Sequence, residues 1–146
     1  MEMLQKICFV LLLTTLSSVY AGNCFEGKDI EDCRVKAEQG DSSAQYNLGV
    51  MYERGHGVSQ DYNEVVKWYK KSAEQGESLA QYNLGVIYKQ GKGVPQDYVM
   101  AHMFFNIASI GGDKDAVEDR DIVTNLMTPS QLEKAQDLAR EWMHTH

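Results

Sequence analysis

One segment of this chain occurs twice, and the duplication constrains the fold more than any other feature. AQYNLGVMYERGHGVSQDY at residues 44–62 returns as AQYNLGVIYKQGKGVPQDY at residues 80–98. With a shift of 36 residues, residues 37–72 align with residues 73–108 without a gap, and more than half of the positions are identical. A period of this length is typical of stacked repeats whose unit is a helical hairpin. The sequence therefore predicts an all-α fold, an α/α superhelical solenoid.

The first helix of each unit carries an apolar stripe and ends at a glycine turn. In the first copy the stripe consists of Ala44, Leu48, Met51 and Tyr52. Asp41 or Ser42 is placed to cap the helix start, and Gly55 supplies the positive φ of the turn. Gly49 and Gly85 recur inside the first helices, where glycine costs about 1 kcal/mol relative to alanine. Their recurrence predicts that another helix approaches closely at this position.

The second helix of each unit begins at an aspartate. Asp61 caps the first copy, with Glu64 three residues later in a capping box, and Asp97 caps the second. The buried stripes are Val65, Trp68, Tyr69 and Ser72 in one copy and Ala101, Phe104, Phe105 and Ala108 in the other. After the second copy, Thr128, Pro129 and Gln131 signal the start of a last helix that caps the stack.

These signals divide the chain into five parts. They are a signal peptide at 1–21, a partial opening repeat at 22–36, repeats at 37–72 and 73–108, and a C-terminal partial repeat with its cap at 109–146.

The N-terminal residues have the pattern of an export signal. Lys6 precedes the apolar run ICFVLLLTTL, and the small-residue pattern around Val19 and Ala21 predicts cleavage after Ala21. An uncleaved anchor is the alternative, although the run is shorter than the ~20 residues of a membrane-spanning helix. We therefore expect a periplasmic or secreted protein that meets a membrane only through the signal peptide before cleavage.

Export also changes how the cysteines are interpreted. Cys24 and Cys33 are the cysteines that follow the predicted cleavage site, and in an oxidising compartment they are expected to form a disulfide. A metal pair or a redox pair is the alternative, but the spacing is not C-x-x-C and no histidine lies nearby.

Composition and motifs argue against several functions. A net charge of −7 disfavours binding to nucleic acid through a basic patch. The GKGV segment around Lys92 lacks the spacing and the Ser or Thr of a phosphate loop, and His56 replaces the lysine in the other copy, so no nucleotide is expected. No serine has the S-x-x-K spacing of a β-lactam-acylating nucleophile. We predict no catalytic residues, no metal and no cofactor.

Two groups of side chains could suggest metal binding. Asp113, Asp115, Asp119 and Asp121 lack the glycine and distant glutamate of an EF-hand, so they are interpreted as a solvated acidic face. His144 and His146 lie in a tail that is expected to be frayed.

The pattern AEQGxxxAQYNLGxxYxxGxGVxQDYxxAxxWYxxA closely resembles the Sel-1-like repeat, a relative of the tetratricopeptide repeat. The resemblance covers residues 37–108, and the end segment RDIVTNLMTPSQLEKAQDLAREW also looks like the family's. It implies a non-enzymatic scaffold of an exported bacterial protein that binds another protein, in envelope signalling or host interaction. Cysteine-rich relatives imply a rival function, an envelope hydrolase that acts on β-lactams or peptidoglycan. A small subunit that completes a larger assembly is a third possibility.

Asn47 and Asn83 occupy matching positions of the first helices, beside the apolar stripe. On the concave face of a solenoid, amide side chains at these positions could bind the backbone of a partner. The sequence does not identify that partner.

Overall fold

The computed structural model describes residues 30–146, and within this range every regular element is an α-helix. The seven helices are α1 (Ile30–Glu38), α2 (Ser42–Arg54), α3 (Tyr62–Glu74), α4 (Ser78–Gln90), α5 (Tyr98–Ser109), α6 (Lys114–Thr124) and α7 (Pro129–Thr145). The predicted signal peptide, its cleavage site and Cys24 lie outside the described residues. Within 30–146, no helix combines the length and the apolarity needed to cross a membrane.

The helices form two layers. Each helix from α1 to α6 packs on its neighbour in sequence, and α7 packs mainly on α5. The first helices of the units, α2, α4 and α6, form one layer, and the second helices, α3, α5 and α7, form the other. This stack of hairpins with a terminal helix confirms the predicted all-α solenoid.

The period of the structure extends beyond the visible sequence similarity. The helices α2, α4 and α6 begin at Ser42, Ser78 and Lys114, which are 36 residues apart. The third unit therefore keeps the register of the first two, although its sequence has diverged. Its second helix, α7, departs from the plan, because it starts after a shorter connection and packs on α5.

Most of the predicted helix ends are confirmed. Asp41 Oδ1 accepts a hydrogen bond from the backbone N–H of Ala44 at 2.7 Å, and Gly55 ends α2 with φ 66°. Thr128 and Gln131 form the reciprocal capping box that begins α7.

The capping box predicted at Asp61 is only half formed. The Asp61 carboxylate accepts from the backbone N–H of Glu64 at 3.4 Å, but the Asp61 N–H donates to the carbonyl of Tyr52 at 3.1 Å. The Glu64 carboxylate, without that donor, accepts instead from Trp68 Nε1 at 3.0 Å. The start of α3 is thus tied to α2, and Glu64 orients the tryptophan.

A glutamine at the same position of α2 and α4 forms a hydrogen bond to the preceding helix. Gln45 Nε2 donates to the carbonyl of Ala37 at 3.0 Å, and Gln81 Nε2 donates to the carbonyl of Ala73 at 3.1 Å. Each bond links a first helix to the end of the preceding second helix. Gln45 and Gln81 are nearly inaccessible, so these bonds satisfy buried polar groups.

The glycines inside the first helices make room for aromatic rings, as predicted. A Cβ atom on Gly49 would lie 2.6 Å from Cδ1 and Cε1 of Tyr69, and one on Gly85 would lie 2.5 Å from the same atoms of Phe105. Both rings are fully buried. In the third unit Asp121 holds this register, and the second helix of that unit does not pack closely on the first.

We expect Gly85→Ala to destabilise the protein, although alanine favours helices. The added methyl group would overlap the buried ring of Phe105, and overpacking of this kind costs about 1–3 kcal/mol. Urea unfolding followed by circular dichroism measures the change in the free energy of unfolding.

Phe105→Leu supplies the matched control, since it removes the ring that alanine would meet. The double variant should lose less stability than the sum of the single variants. Strictly additive losses would contradict the proposed contact.

Candidate interaction surface

Three polar side chains occupy one register of the first-helix layer. Asn47 on α2, Asn83 on α4 and Asp119 on α6 are separated by 36 residues each, and all three are half-buried. We call these three residues the polar row. Its amides and its carboxylate lie along the same side of successive units.

Asn83 lies beside two tyrosines of the preceding unit. The rings of Tyr46 and Tyr69 stack with centroids 5.6 Å apart, and the Tyr69 hydroxyl donates to Glu53 Oε2 at 2.8 Å. Burial and the Glu53 carboxylate raise the pKa of Tyr69 far above its usual value, and the Asn83 amide partly opposes this rise. Burial likewise raises the pKa of Tyr46, again with an opposing interaction from Asn83. The side chain of Asn83 therefore belongs to the junction between two units.

Asp119 makes the corresponding contact one unit later. Its carboxylate accepts a hydrogen bond from the Tyr82 hydroxyl at 2.9 Å and forms an ion pair with Lys89. Burial, followed by the hydrogen bond to Asp119, raises the pKa of Tyr82 to about 12. Lys89 stands at the register of Glu53, so the charge at this position is reversed between the two junctions, while a carboxylate accepts the tyrosine hydroxyl in both.

Within residues 30–146, no tyrosine pair precedes Asn47 as Tyr46 and Tyr69 precede Asn83. The helix before Asn47, α1, contains no tyrosine, and Cys33 stands at the register of Tyr69. Cys33 is fully buried, and its predicted disulfide with Cys24 stays a prediction because Cys24 is not described. Among the described residues, the amide of Asn47 thus lies at the first position of the polar row without preceding tyrosine hydroxyls like those beside Asn83.

The sequence predicts a solvated acidic face at residues 113–121, and the structure shows that only part of this group is solvated. The Asp113 carboxylate caps α6 and accepts from the backbone N–H of Asp115 at 2.9 Å. Asp119 is half-buried and paired with Lys89, and Asp121 pairs with Arg120. The sequence does not predict the roles of Asp113 and Asp119, because the third unit has diverged too far to show their register in the repeat. Among residues 30–146, no three His, Cys, Asp or Glu side chains are grouped to hold a metal ion.

The histidines are dispersed over the described residues. His56 is exposed in the turn after α2, while His144 and His146 are exposed at the end of the chain. His102 on α5 is only 3% exposed, and its Nδ1 has no hydrogen-bond partner. Burial lowers the pKa of His102, and the positive charge of Arg120 lowers it further. The tail that was expected to fray is helical to Thr145.

A model of the Sel1 repeat family matches residues 42–77 and 78–113. Two consecutive segments, together just under half of the chain, are thus similar to the Sel1 repeat. The matched units begin with α2 and α4, so the family repeat and the hairpin of the structure have the same period.

The similar proteins are mostly much longer than this chain. A solved structure of a protective antigen from uropathogenic Escherichia coli strains, with an SLR fold, is 36% identical with a TM-score of 0.77. It covers 90% of this chain, which spans 29% of the antigen. A Sel1 repeat protein from Oxalobacter formigenes is 36% identical with a TM-score of 0.62, over 64% of this chain and 38% of that one.

Curated relatives match over shorter stretches. A putative sel1-like repeat-containing protein of Acanthamoeba polyphaga mimivirus is 45% identical over 42 residues, which is 29% of this chain and 7% of the relative. A DAP3-binding cell death enhancer of Rattus norvegicus is 40% identical over 47 residues, which is 32% of this chain and 9% of the relative. The chain thus spans less than two fifths of the length of each of these four proteins.

We expect Asp119→Asn to lower the pKa of Tyr82 from about 12 toward its ordinary value of 10. The neutral amide removes the negative charge that opposes loss of the hydroxyl proton. Carbon-13 NMR of labelled tyrosine rings follows the titration, and Tyr82→Phe assigns the signal.

Asp121→Asn is the matched control, because it removes a carboxylate of the same helix that is not among the groups acting on Tyr82. An equal decrease in both variants would mean that net charge, and not the hydrogen bond, sets the pKa.

Proposed function

We propose that the protein is an exported, non-enzymatic scaffold that binds a protein partner along the polar row of its first-helix layer. Two Sel1 repeats and a third unit in the same register support this role. The observation that carries the proposal is the different environment of the two asparagines: Asn83 lies beside Tyr46 and Tyr69, whereas the described helix before Asn47, α1, contains no tyrosine.

The chemistry of the row favours a polypeptide backbone as the group that is bound. An amide side chain offers one acceptor and two donors, which match the N–H and C=O groups of an extended segment. In our proposal Asn47 contacts the partner directly. Asn83 contributes to binding at its row position and also stabilises the junction between the units.

The export part of the proposal rests on the pattern at residues 1–21, which lies outside the described residues. We propose cleavage after Ala21 and a periplasmic or secreted location, in which Cys24 and Cys33 form a disulfide. Envelope signalling and host interaction are the processes that an exported scaffold of this kind would serve.

We expect Asn47→Ala to weaken partner binding about fivefold, since one lost hydrogen bond is worth about 1 kcal/mol. A photocrosslinking residue at position 47 would first capture the partner in native cells, with the same residue at position 134 on α7 as the control. Calorimetry with the purified partner then measures the affinity.

Asn83→Ala is expected to weaken binding and to lower the free energy of unfolding as well, because it opens the contact with Tyr46 and Tyr69. Unchanged affinity in both alanine variants would refute the polar row as the binding site.

The exported form should begin at Gly22 when the protein is purified from the periplasm or the medium and its N-terminus is sequenced. The same preparation should hydrolyse nitrocefin no faster than the background reaction. An intact Met1 would contradict export by cleavage, and nitrocefin turnover abolished by a point mutation would favour the rival hydrolase.

A further inference from the structure

A groove crosses the second-helix layer, which is the layer opposite the polar row. Its volume is about 320 Å³, and its lining comes only from α3, α5 and α7. Met100, Met103 and Phe104 of α5 form the floor, while Leu138 and Trp142 form the wall on α7. We call this space the α3–α7 groove. The groove exists because α7 packs on α5 and leaves a gap between itself and α3.

The groove combines one rigid aromatic pair with adaptable side chains. Phe104 is fully buried, and the Trp142 ring meets it edge-on with the centroids 5.4 Å apart. Met100 is half-buried, and its side chain is unbranched and polarisable, so it can adjust to apolar side chains of different shapes. A partner could therefore bury leucine-like residues against a floor that is already organised.

Three charged side chains edge this apolar floor. Lys70 and Glu74 lie on the α3 side, and Glu141 lies on the α7 side. None of the three takes part in an ion pair within residues 30–146. The rim thus presents two carboxylates and one ammonium group, in a chain whose net charge is −7.

We propose that the α3–α7 groove is a second docking site, which binds a cationic amphipathic helix of a protein partner. The apolar side of that helix packs on Met100 and Trp142, which are both half-buried, and its Lys or Arg residues pair with Glu74 and Glu141. A helix fits because the groove runs between two helices over a third, the arrangement in which an apolar helix face is buried. The rim charges select a basic flank over an acidic one.

Indole nitrogen-15 NMR tests the proposal on the unmodified chain, which contains two tryptophans. Trp142 lines the groove, whereas Trp68 is 3% exposed and lies outside it. The probe is a short amphipathic helical peptide of leucine and lysine, compared with its leucine–glutamate counterpart. The lysine peptide should shift the Trp142 signal and leave the Trp68 signal in place, and the glutamate peptide should shift neither.

Charge variants locate the contact. Glu141→Lys should weaken binding of the lysine peptide about threefold, as expected for the loss of an exposed charge pair. Lys70→Glu should strengthen binding by a similar factor. Glu133→Lys makes the same charge change on the same helix outside the groove, and it should alter the affinity less than Glu141→Lys does.

Three results would overturn the proposal. Equal losses in Glu133→Lys and Glu141→Lys would mean that only net charge attracts the peptide. A shift of the Trp68 signal alone would place the peptide elsewhere, and equal binding of the glutamate peptide would exclude selection by the rim.

Discussion

The contact between a glycine within one helix and an aromatic ring of the next sets the geometry of each hairpin. At Gly49 and Gly85 the backbone of the first helix lies directly against Tyr69 or Phe105. This approach has a consequence for the surface, because it carries the Tyr69 hydroxyl across to Glu53 and Asn83 on the first-helix layer. The packing that closes the hairpin therefore also places the polar groups of the candidate binding surface.

The third unit shows what happens without this contact. Asp121 stands where the first two units have glycine, and α7 packs mainly on α5. Trp142 then meets Phe104 of α5 within the same layer, and the α3–α7 groove opens beside it. The terminal helix that lines the groove thus differs from the closed hairpins both at this register position and in its shorter connection.

Much of the fold could be predicted from the sequence, because helix periodicity, capping aspartates and in-helix glycines act locally. Asp41, Gly55 and Thr128 end or begin helices as their residue types require. The half-formed box at Asp61 could not be predicted, since its N–H donates to a carbonyl of the preceding helix, which no local motif shows. The pairing of Asp119 with Tyr82 and Lys89 was hidden for a related reason: it joins units whose sequences no longer resemble each other.

The bonds at the junctions cross from one unit to the next, and this has a consequence for how such a chain can grow. Glu53 and Tyr69 belong to one repeat and Asn83 to the following one. The contacts of a junction therefore depend on residues of two successive repeats. A duplication or deletion of one full period keeps every later residue in register with the tyrosines before it. An insertion or deletion of any other length within a helix moves the later residues out of register with the tyrosines of the preceding unit. Lengthening by whole periods is accordingly the change in chain length that this architecture tolerates.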